Sequence, residues 1–203
     1  MLDRHMRPLI DPSLAWLGGV LARVGVSANT VTLAGLGLGL AAALCITQGL
    51  MLEALALVLA SRLADGLDGA VARARGPSDF GGYLDISADF LFYGAVPLAF
   101  VALDPGANAL AGAALLVSFY FNGATFLGFA ILAERKAMRS DAHGVKSLYF
   151  TDGLLEGTET IAFFVLLCLV PDWFSQLAWG FAALCFLTAG ARILLAHRVF
   201  SRA

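Results

Sequence analysis

The chain has 203 residues, of which 60% are hydrophobic and 14% are charged, and its mean hydropathy is +0.82. A soluble domain of this length could not bury so much apolar surface, so the composition predicts an integral membrane protein with a single domain over residues 1–203. The formal net charge is -2 and no basic patch is interleaved with aromatic residues, which argues against nucleic-acid binding. The three cysteines lie in apolar runs, at a spacing that fits neither a disulfide framework nor a metal cluster.

Residues 8–25, PLIDPSLAWLGGVLARVG, are predicted to form an amphipathic helix before the first membrane span. Apolar residues recur close to helical spacing, at Leu9, Leu14, Leu17, Leu21 and Val24. We interpret the segment as an interfacial helix on the cytoplasmic leaflet, with Trp16 at headgroup depth. A short seventh buried helix is the alternative.

Six apolar stretches are each about as long as a membrane-spanning helix, which needs roughly 20 residues. Their predicted bounds are 29–48, 52–72, 86–103, 108–133, 153–171 and 175–197. Polar or turn-forming residues separate them. The predicted fold is therefore all-α, with a bundle of six transmembrane helices over residues 29–200 that follows the interfacial helix.

The positions of the basic residues predict how these spans are oriented. With six spans, both termini and the connections 2–3 and 4–5 lie on one side of the membrane. All 13 Lys and Arg residues fall there: Arg4, Arg7, Arg23, Arg62, Arg73, Arg75, Arg135, Lys136, Arg139, Lys146, Arg192, Arg198 and Arg202. The opposite connections carry only Glu53, Asp104 and Asp172. Because cytoplasmic loops are enriched in Lys and Arg, both termini are predicted to be cytoplasmic.

The connection between spans two and three carries the densest charge, in ADGLDGAVARARGPSDFGGYLDISAD, residues 64–89. Asp65 and Asp68 are three residues apart and share one face of a helix, and Asp85 and Asp89, four apart, share another. Two adjacent helix ends would thus bring four carboxylates together. Such a cluster needs counter-charge, and hard divalent cations with oxygen ligands supply it.

The residues between the two acidic pairs suit a phosphate ligand. Gly69 and Ala72 leave room for a ligand to approach the backbone, and the fork of Arg73 matches phosphate oxygens. Bound metal ions, an arginine and space for a phosphate together indicate phosphoryl transfer. Asp79 matches no part of this pattern and is interpreted as a solvated loop charge.

The pattern Asp65-x2-Asp68-Gly69-x2-Ala72-Arg73…Gly81-x3-Asp85-x3-Asp89 resembles the signature of the CDP-alcohol phosphatidyltransferases, DxxDGxxAR, a spacer of eight or nine residues, then GxxxDxxxD. The six-span layout extends the resemblance over nearly the whole chain. SANTVT at 27–32 is similar to the family's Pro-Asn-Thr start of the first span, with alanine in place of the proline. The spacer here, residues 74–80, has seven residues, one fewer than usual.

The resemblance implies an enzyme that binds a CDP-linked lipid, usually CDP-diacylglycerol, at the cytoplasmic face of a bacterial-type inner membrane. An acceptor hydroxyl attacks the β-phosphorus and CMP leaves. Two Mg²⁺ or Mn²⁺ ions are implied, with Asp65, Asp68 and Asp85 as ligands, and with Asp89 completing the site and acting as general base. The implied contacts to the CDP moiety are Gly69, Arg73, Ser78, Asn29 and Thr30. A homodimer is implied by the resemblance alone.

The residues around the acceptor leave its identity open. Asp152, Glu156 and Glu159 form one helical stripe, which is either a solvated or arginine-paired edge or a wall suited to a neutral polyol or cationic alcohol. The nearby basic residues are explained by topology or by a phosphorylated acceptor; they are Arg135, Lys136, Arg139 and Lys146. Small bacterial-type members of the family that the chain resembles include glycerol-phosphate, inositol-phosphate and serine transferases, and these residues do not distinguish among them.

Three other functions compete with this interpretation. Intramembrane acids can line the path of a cation transporter, but these acids cluster at one end of the spans. A UbiA-like prenyltransferase also binds metal through aspartate motifs, although in two separated loops and a longer chain. A non-catalytic relative is disfavoured because all four aspartates are present.

Overall fold

The computed structural model describes residues 3–135 and 157–201. All secondary-structure elements in these two ranges are helices. The helices are α1 (Asp3–Arg23), α2 (Ala28–Thr47), α3 (Met51–Arg75), α4 (Asp79–Leu103), α5 (Pro105–Arg135), α6 (Gly157–Leu169) and α7 (Phe174–Phe200), with a 3-10 turn at Pro171–Trp173. The all-α prediction is confirmed for this part of the chain.

By length and composition, four helices could cross a membrane: Ala28–Thr47, Asp79–Leu103, Pro105–Arg135 and Pro171–Phe200. They coincide with four of the six predicted spans. The predicted span at 52–72 falls on α3, which is long enough but carries Arg62, Asp65 and Asp68. The predicted span at 153–171 falls partly on α6, which is apolar but has only 13 described residues. Six spans are therefore not established by these criteria.

Helix α1 is longer than predicted, because it begins at Asp3 rather than at residue 8. It continues through Pro8 and Pro12, since a proline within a helix removes one backbone hydrogen bond without necessarily ending the helix. Between residues 11 and 23 only Leu14 and Gly18 are buried, whereas Trp16 is 70% exposed. This exposure argues against the alternative of a buried seventh helix.

The buried face of α1 packs directly on α3. A Cβ added at Gly18 would lie 2.5 Å from the Ala70 Cβ, and one added at Gly66 would lie 2.9 Å from Leu14 Cδ1. Small residues on both helices thus permit a close approach of the two backbones. The contact places α1 behind the helix that carries Asp65 and Asp68.

Helix α4 begins at Asp79, seven residues before the apolar stretch that predicted it. Ser78 caps the helix: its hydroxyl oxygen accepts a hydrogen bond from the Gly81 N–H at 3.1 Å. Gly76, with φ +99°, ends α3 in a conformation that favours glycine. Only residues 76–78 therefore separate α3 from α4, and the two acidic pairs are held on adjacent helix ends.

The core beneath these helix ends is aromatic. Phe92 of α4 packs edge-on against Phe164 of α6, with ring centroids 5.6 Å apart. Phe163 stacks on Phe181 with centroids 4.0 Å apart. Gly39 of α2 lies against the Phe92 ring, since a Cβ added there would be 2.5 Å from Phe92 Cδ2. Helices α2, α4 and α6 thus pack together around the Phe92 ring.

Candidate active site

Three of the four predicted acids converge. Oxygen atoms of Asp65 and Asp68 on α3 and of Asp85 on α4 all lie within 4.8 Å of one another. We call these three residues the acidic trio. The short connection between the two helices brings them together, because it sets the end of α3 beside the start of α4. Three carboxylate oxygens at this separation form a ligand set that hard divalent cations prefer.

Asp68 is the most buried member of the trio, at 5% exposure. The Thr32 hydroxyl of α2 lies 2.5 Å from Asp68 Oδ2 and 3.1 Å from the Ala28 carbonyl oxygen. A hydroxyl has one proton to donate, and the charged acceptor at the shorter distance takes it. Thr32 therefore fixes the orientation of a candidate metal ligand. Thr32 lies in the SANTVT segment, and no role was predicted for it from the sequence.

Asp89 lies beside the trio and is bound by an arginine. Asp89 Oδ1 is 2.6 Å from Arg62 Nη1, and the same nitrogen is 3.6 Å from Asp65 Oδ1. From the sequence, Arg62 was assigned only as a determinant of topology. Its position three residues before Asp65, on the same helix face, was the available signal. The pairing with Asp89, 27 residues further along the chain, depends on how α3 packs against α4.

Most of the predicted contacts to the CDP moiety are grouped around two glycines, Gly69 and Gly81. A Cβ added at Gly69 would lie 3.3 Å from Arg73 Nη1, so the guanidinium covers this glycine. A Cβ added at Gly81 would lie 3.0 Å from Ser78 Oγ and 3.2 Å from Asn29 Oδ1. Asn29 of α2 and Ser78, the N-cap residue of α4, therefore meet around Gly81. Gly69 directly follows Asp68 in α3, and Gly81 lies four residues, about one helical turn, before Asp85 in α4.

Thr30, also predicted to border the nucleotide, takes part in the N-cap of α2. Its backbone N–H donates to Ser27 Oγ at 3.2 Å, and the two hydroxyl oxygens are 2.8 Å apart. These bonds explain a threonine at this position through helix capping. The short spacer before Gly81 is accommodated by the three-residue connection between α3 and α4, without separating Asp68 from Asp85.

The predicted acceptor pocket is described only in part. Arg135 is exposed at the end of α5, and Glu159 lies half-buried in the first turn of α6. Glu156 and Arg139 lie outside the described residues, as do Asp152, Lys136 and Lys146. A Cβ added at Gly157 would be 3.9 Å from the Tyr93 hydroxyl oxygen, so the start of α6 faces α4 near Asp89.

A second buried arginine, Arg192, joins α7 to α5. Its Nη1 donates to the Asn122 side-chain oxygen at 2.8 Å, to Thr125 Oγ1 at 2.9 Å and to the Asn122 carbonyl oxygen at 3.0 Å. Only 7% of this residue is exposed. From the sequence, Arg192 was assigned only as a topology-determining charge, and this cluster was not predicted because its members are about seventy residues apart.

Comparison with known proteins finds a family model and two relatives that match this chain. A family model described as CDP-alcohol phosphatidyltransferase matches residues 25–190. An inner membrane protein of Escherichia coli strain K12, YnjF, is 47% identical over 193 residues, which are 95% of this chain and 94% of that protein. Archaetidylinositol phosphate synthase of Methanothermobacter thermautotrophicus is 35% identical over 139 residues, covering 64% of this chain and 67% of that protein.

Solved structures share the fold. The phosphatidylinositol phosphate synthase of Mycobacterium tuberculosis with CDP-DAG bound superposes with a TM-score of 0.65 at 24% identity, over 91% of this chain and 93% of that one. The same enzyme in complex with manganese and citrate gives a TM-score of 0.64 at 23% identity, over 89% of this chain and 87% of that one.

Proposed function

The chain belongs to the CDP-alcohol phosphatidyltransferase family, and we propose that it transfers a phosphatidyl group from CDP-diacylglycerol to an acceptor hydroxyl with release of CMP. Membership makes it a transferase of phospholipid biosynthesis. The observation that carries the proposal is the convergence of Asp65, Asp68 and Asp85 oxygens within 4.8 Å, inside the matched range.

The acidic trio fits a divalent metal ion, because three carboxylate oxygens from two rigid helices converge on one volume. We propose Asp65, Asp68 and Asp85 as ligands of Mg²⁺ or Mn²⁺, with Asp89 completing the site for a second ion. When bound, such ions would neutralise the diphosphate and stabilise charge on the departing CMP. The presence of manganese in the mycobacterial enzyme supports this assignment.

Asp89 is the residue proposed to remove the acceptor's proton. The acceptor hydroxyl transfers its proton to the Asp89 carboxylate while its oxygen forms a bond to the β-phosphorus. The bond between that phosphorus and the CMP oxygen breaks, and CMP leaves with the electron pair. Asp89 is suited to this role because Arg62 holds one of its oxygens and leaves Oδ2 for the proton.

The CDP group is proposed to bind at the start of α4. Asn29 and Ser78 offer polar atoms around Gly81, and Arg73 offers a cation beside Gly69, where the absence of a side chain lets a phosphate approach. Thr30 follows Asn29 in the first turn of α2. It is proposed to lie beside the bound nucleotide, next to Asn29.

The acceptor is proposed to be an inositol phosphate. The archaeal relative and the mycobacterial structure are named for syntheses of inositol phosphate lipids, which supports a phosphorylated polyol. Basic residues between α5 and α6 suit its phosphate, with Arg135 and Arg139 as candidates, and Glu156 and Glu159 suit its hydroxyl groups.

The membrane arrangement is proposed to be six spans with the termini and the site on the cytoplasmic side. Helix α3 has 25 residues and is therefore roughly 37 Å long, enough to cross a hydrocarbon core of about 30 Å. Its acids lie toward its C-terminal end, where the second membrane surface would be. The placement of all 13 basic residues supports this orientation.

The protein is proposed to act as a homodimer in a bacterial inner membrane, as the family resemblance implies.

Sidedness can be tested with single cysteines introduced at Ser201 or Asp104 in a variant lacking the native cysteines. A membrane-impermeant maleimide should label Ser201→Cys only in inside-out vesicles and Asp104→Cys only in right-side-out vesicles. The reverse labelling pattern would show that the protein has the opposite orientation in the membrane and would contradict the proposed topology. Light scattering of the detergent-solubilised protein would test the dimer.

The activity is tested by CMP release from CDP-diacylglycerol with Mg²⁺ or Mn²⁺. Inositol phosphate, inositol, glycerol 3-phosphate, serine and choline are offered one at a time. CMP release with inositol phosphate alone supports the full proposal. CMP release with a different acceptor supports the proposed phosphatidyl transfer but contradicts inositol phosphate as the acceptor. Asp85→Asn should abolish release, whereas Asp79→Asn, which removes an exposed charge outside the motif, should not. Absence of release with every acceptor would contradict the proposal.

A further inference from the structure

Arg62 is a buried cation inside the candidate active site that lies outside the signature pattern. It precedes Asp65 by one helical turn and points to the same side of α3. Its side chain is 9% exposed and binds Asp89 Oδ1 through Nη1 at 2.6 Å. This distance is typical of a short, charge-assisted hydrogen bond. Arg62 thus touches the acid that stands beside the trio.

The guanidinium is held from several sides, so its orientation is fixed. Its Nη2 donates to Ser61 Oγ at 3.2 Å, and the Ser61 hydroxyl donates to the Gly35 carbonyl oxygen of α2 at 2.7 Å. Its Cζ lies 4.1 Å from the centroid of the Phe92 ring and 5.9 Å from that of Tyr93, which are cation–π distances. Contacts from α2, α3 and α4 together determine where the charge sits.

Stability alone gives a poor account of this arrangement. A buried ion pair recovers its desolvation cost only when its remaining polar atoms are also satisfied. Arg62 Nε is buried and has no hydrogen-bond partner among the described residues. Buried arginines at membrane depth are uncommon and usually mark function. The position of this cation is therefore better explained by what it does to its acidic neighbours.

We propose that Arg62 is a positioning residue for Asp89. By binding Oδ1 it fixes the carboxylate in one orientation and leaves Oδ2 directed to the acceptor hydroxyl. Ser61 supports the arginine in that position. This inference rests on the proposed function, because it assigns Asp89 the role of base. In this role, Arg62 is a fixed cation located between Asp89 and Asp65 of the trio.

The test compares Arg62→Met, Arg62→Lys and Ser61→Ala with wild type and with Arg75→Gln. Arg75 is a matched control because it is an exposed arginine on the same helix, and it donates a hydrogen bond to the Val26 carbonyl oxygen rather than to an acid of the site. Purified proteins are assayed for CMP release, for Mn²⁺ binding by electron paramagnetic resonance, and for thermal unfolding.

Arg62→Met should lower kcat by roughly 10- to 100-fold, which is at or below the smallest contribution of a positioned general base, about 100-fold, because the base itself is still present. Substrate KM values should change little, and Mn²⁺ affinity should not fall, because removing a cation 3.6 Å from Asp65 lessens its repulsion of the metal. Arg62→Lys should recover part of kcat, and Ser61→Ala should lose less than Arg62→Met. In an Asp89→Asn background, Arg62→Met should cause no further loss of the residual rate.

Each failure has a distinct meaning. If wild type releases no CMP with any acceptor, the proposed function falls and this inference falls with it. If wild type is active, three results overturn the role of Arg62 alone: an unchanged kcat in Arg62→Met, a kcat that falls together with Mn²⁺ affinity, or losses that add in the double variant. Should Arg62→Met fail to fold, Arg62→Lys and Ser61→Ala decide the question by the same kcat and Mn²⁺ readouts.

Discussion

Replacing Thr32 by valine removes one hydroxyl and almost no volume, and it isolates the bond between Thr32 and Asp68. That bond is 2.5 Å long and buried, and its acceptor is a carboxylate. A hydrogen bond to a charged group contributes about 1.5–3 kcal/mol. If this stabilisation orients Asp68 for metal binding, its loss should weaken Mn²⁺ binding by roughly 10- to 100-fold, the range for residues that orient metal ligands.

The control for this prediction is Thr188→Val. Thr188 is also buried, and its hydroxyl donates to the Leu184 carbonyl oxygen four residues earlier at 2.9 Å, as Thr32 could with Ala28. The two substitutions therefore remove the same group from similar surroundings, but only one removes a contact with Asp68. Mn²⁺ affinity is measured by titration of the purified protein, and Thr32→Ser should retain most of it. Equal Mn²⁺ affinities in Thr32→Val and Thr188→Val would refute the reasoning.

Further predictions concern the base, the helix contact behind the site and the metal. Asp89→Asn should lower CMP release by about 10²- to 10⁴-fold, leaving a small residual rate, while CDP-diacylglycerol still binds, and full turnover in that variant would remove Asp89 as the base. Gly18→Leu should lower the melting temperature, because its Cβ alone would lie 2.5 Å from the Ala70 Cβ, whereas Gly19→Leu should not, because a Cβ added at Gly19 would have no neighbouring atom within 4 Å. Chelation with EDTA should stop CMP release, and Mg²⁺ or Mn²⁺ should restore it; release that persists in EDTA would argue against the metal site.

The convergence of the acidic trio could be predicted from sequence because it depends on local geometry. Residues three apart share a helix face, and a short glycine-rich connection places the next helix end alongside. That reasoning predicted Asp65, Asp68 and Asp85 as ligands of one volume, and their oxygens lie within 4.8 Å of one another. The start of α4 was missed because the capping of the helix by Ser78 extends it beyond its apolar residues.

Thr32 and Arg62 could not be assigned in the same way. Thr32 is 36 residues from Asp68, and Arg62 is 27 residues from Asp89. Both contacts depend on how neighbouring helices rotate about their axes, which the spacing of apolar residues defines only coarsely. The membrane assignment of α3 has a different difficulty. Its acids and Arg62 reduce its apolar character, so composition alone does not identify it as a span.

These contacts make the four aspartates inequivalent, although the signature treats them as four equal letters. Asp68 is held by a hydroxyl and Asp89 by a guanidinium. Asp65 lies within 3.6 Å of that guanidinium and also in the trio, so it links the proposed base to the proposed metal ligands. A substitution at Asp65 should therefore disturb both metal affinity and the orientation of Asp89, whereas one at Asp85 should act chiefly through the metal. The different proposed roles of the four aspartates thus follow from the different residues that each one contacts.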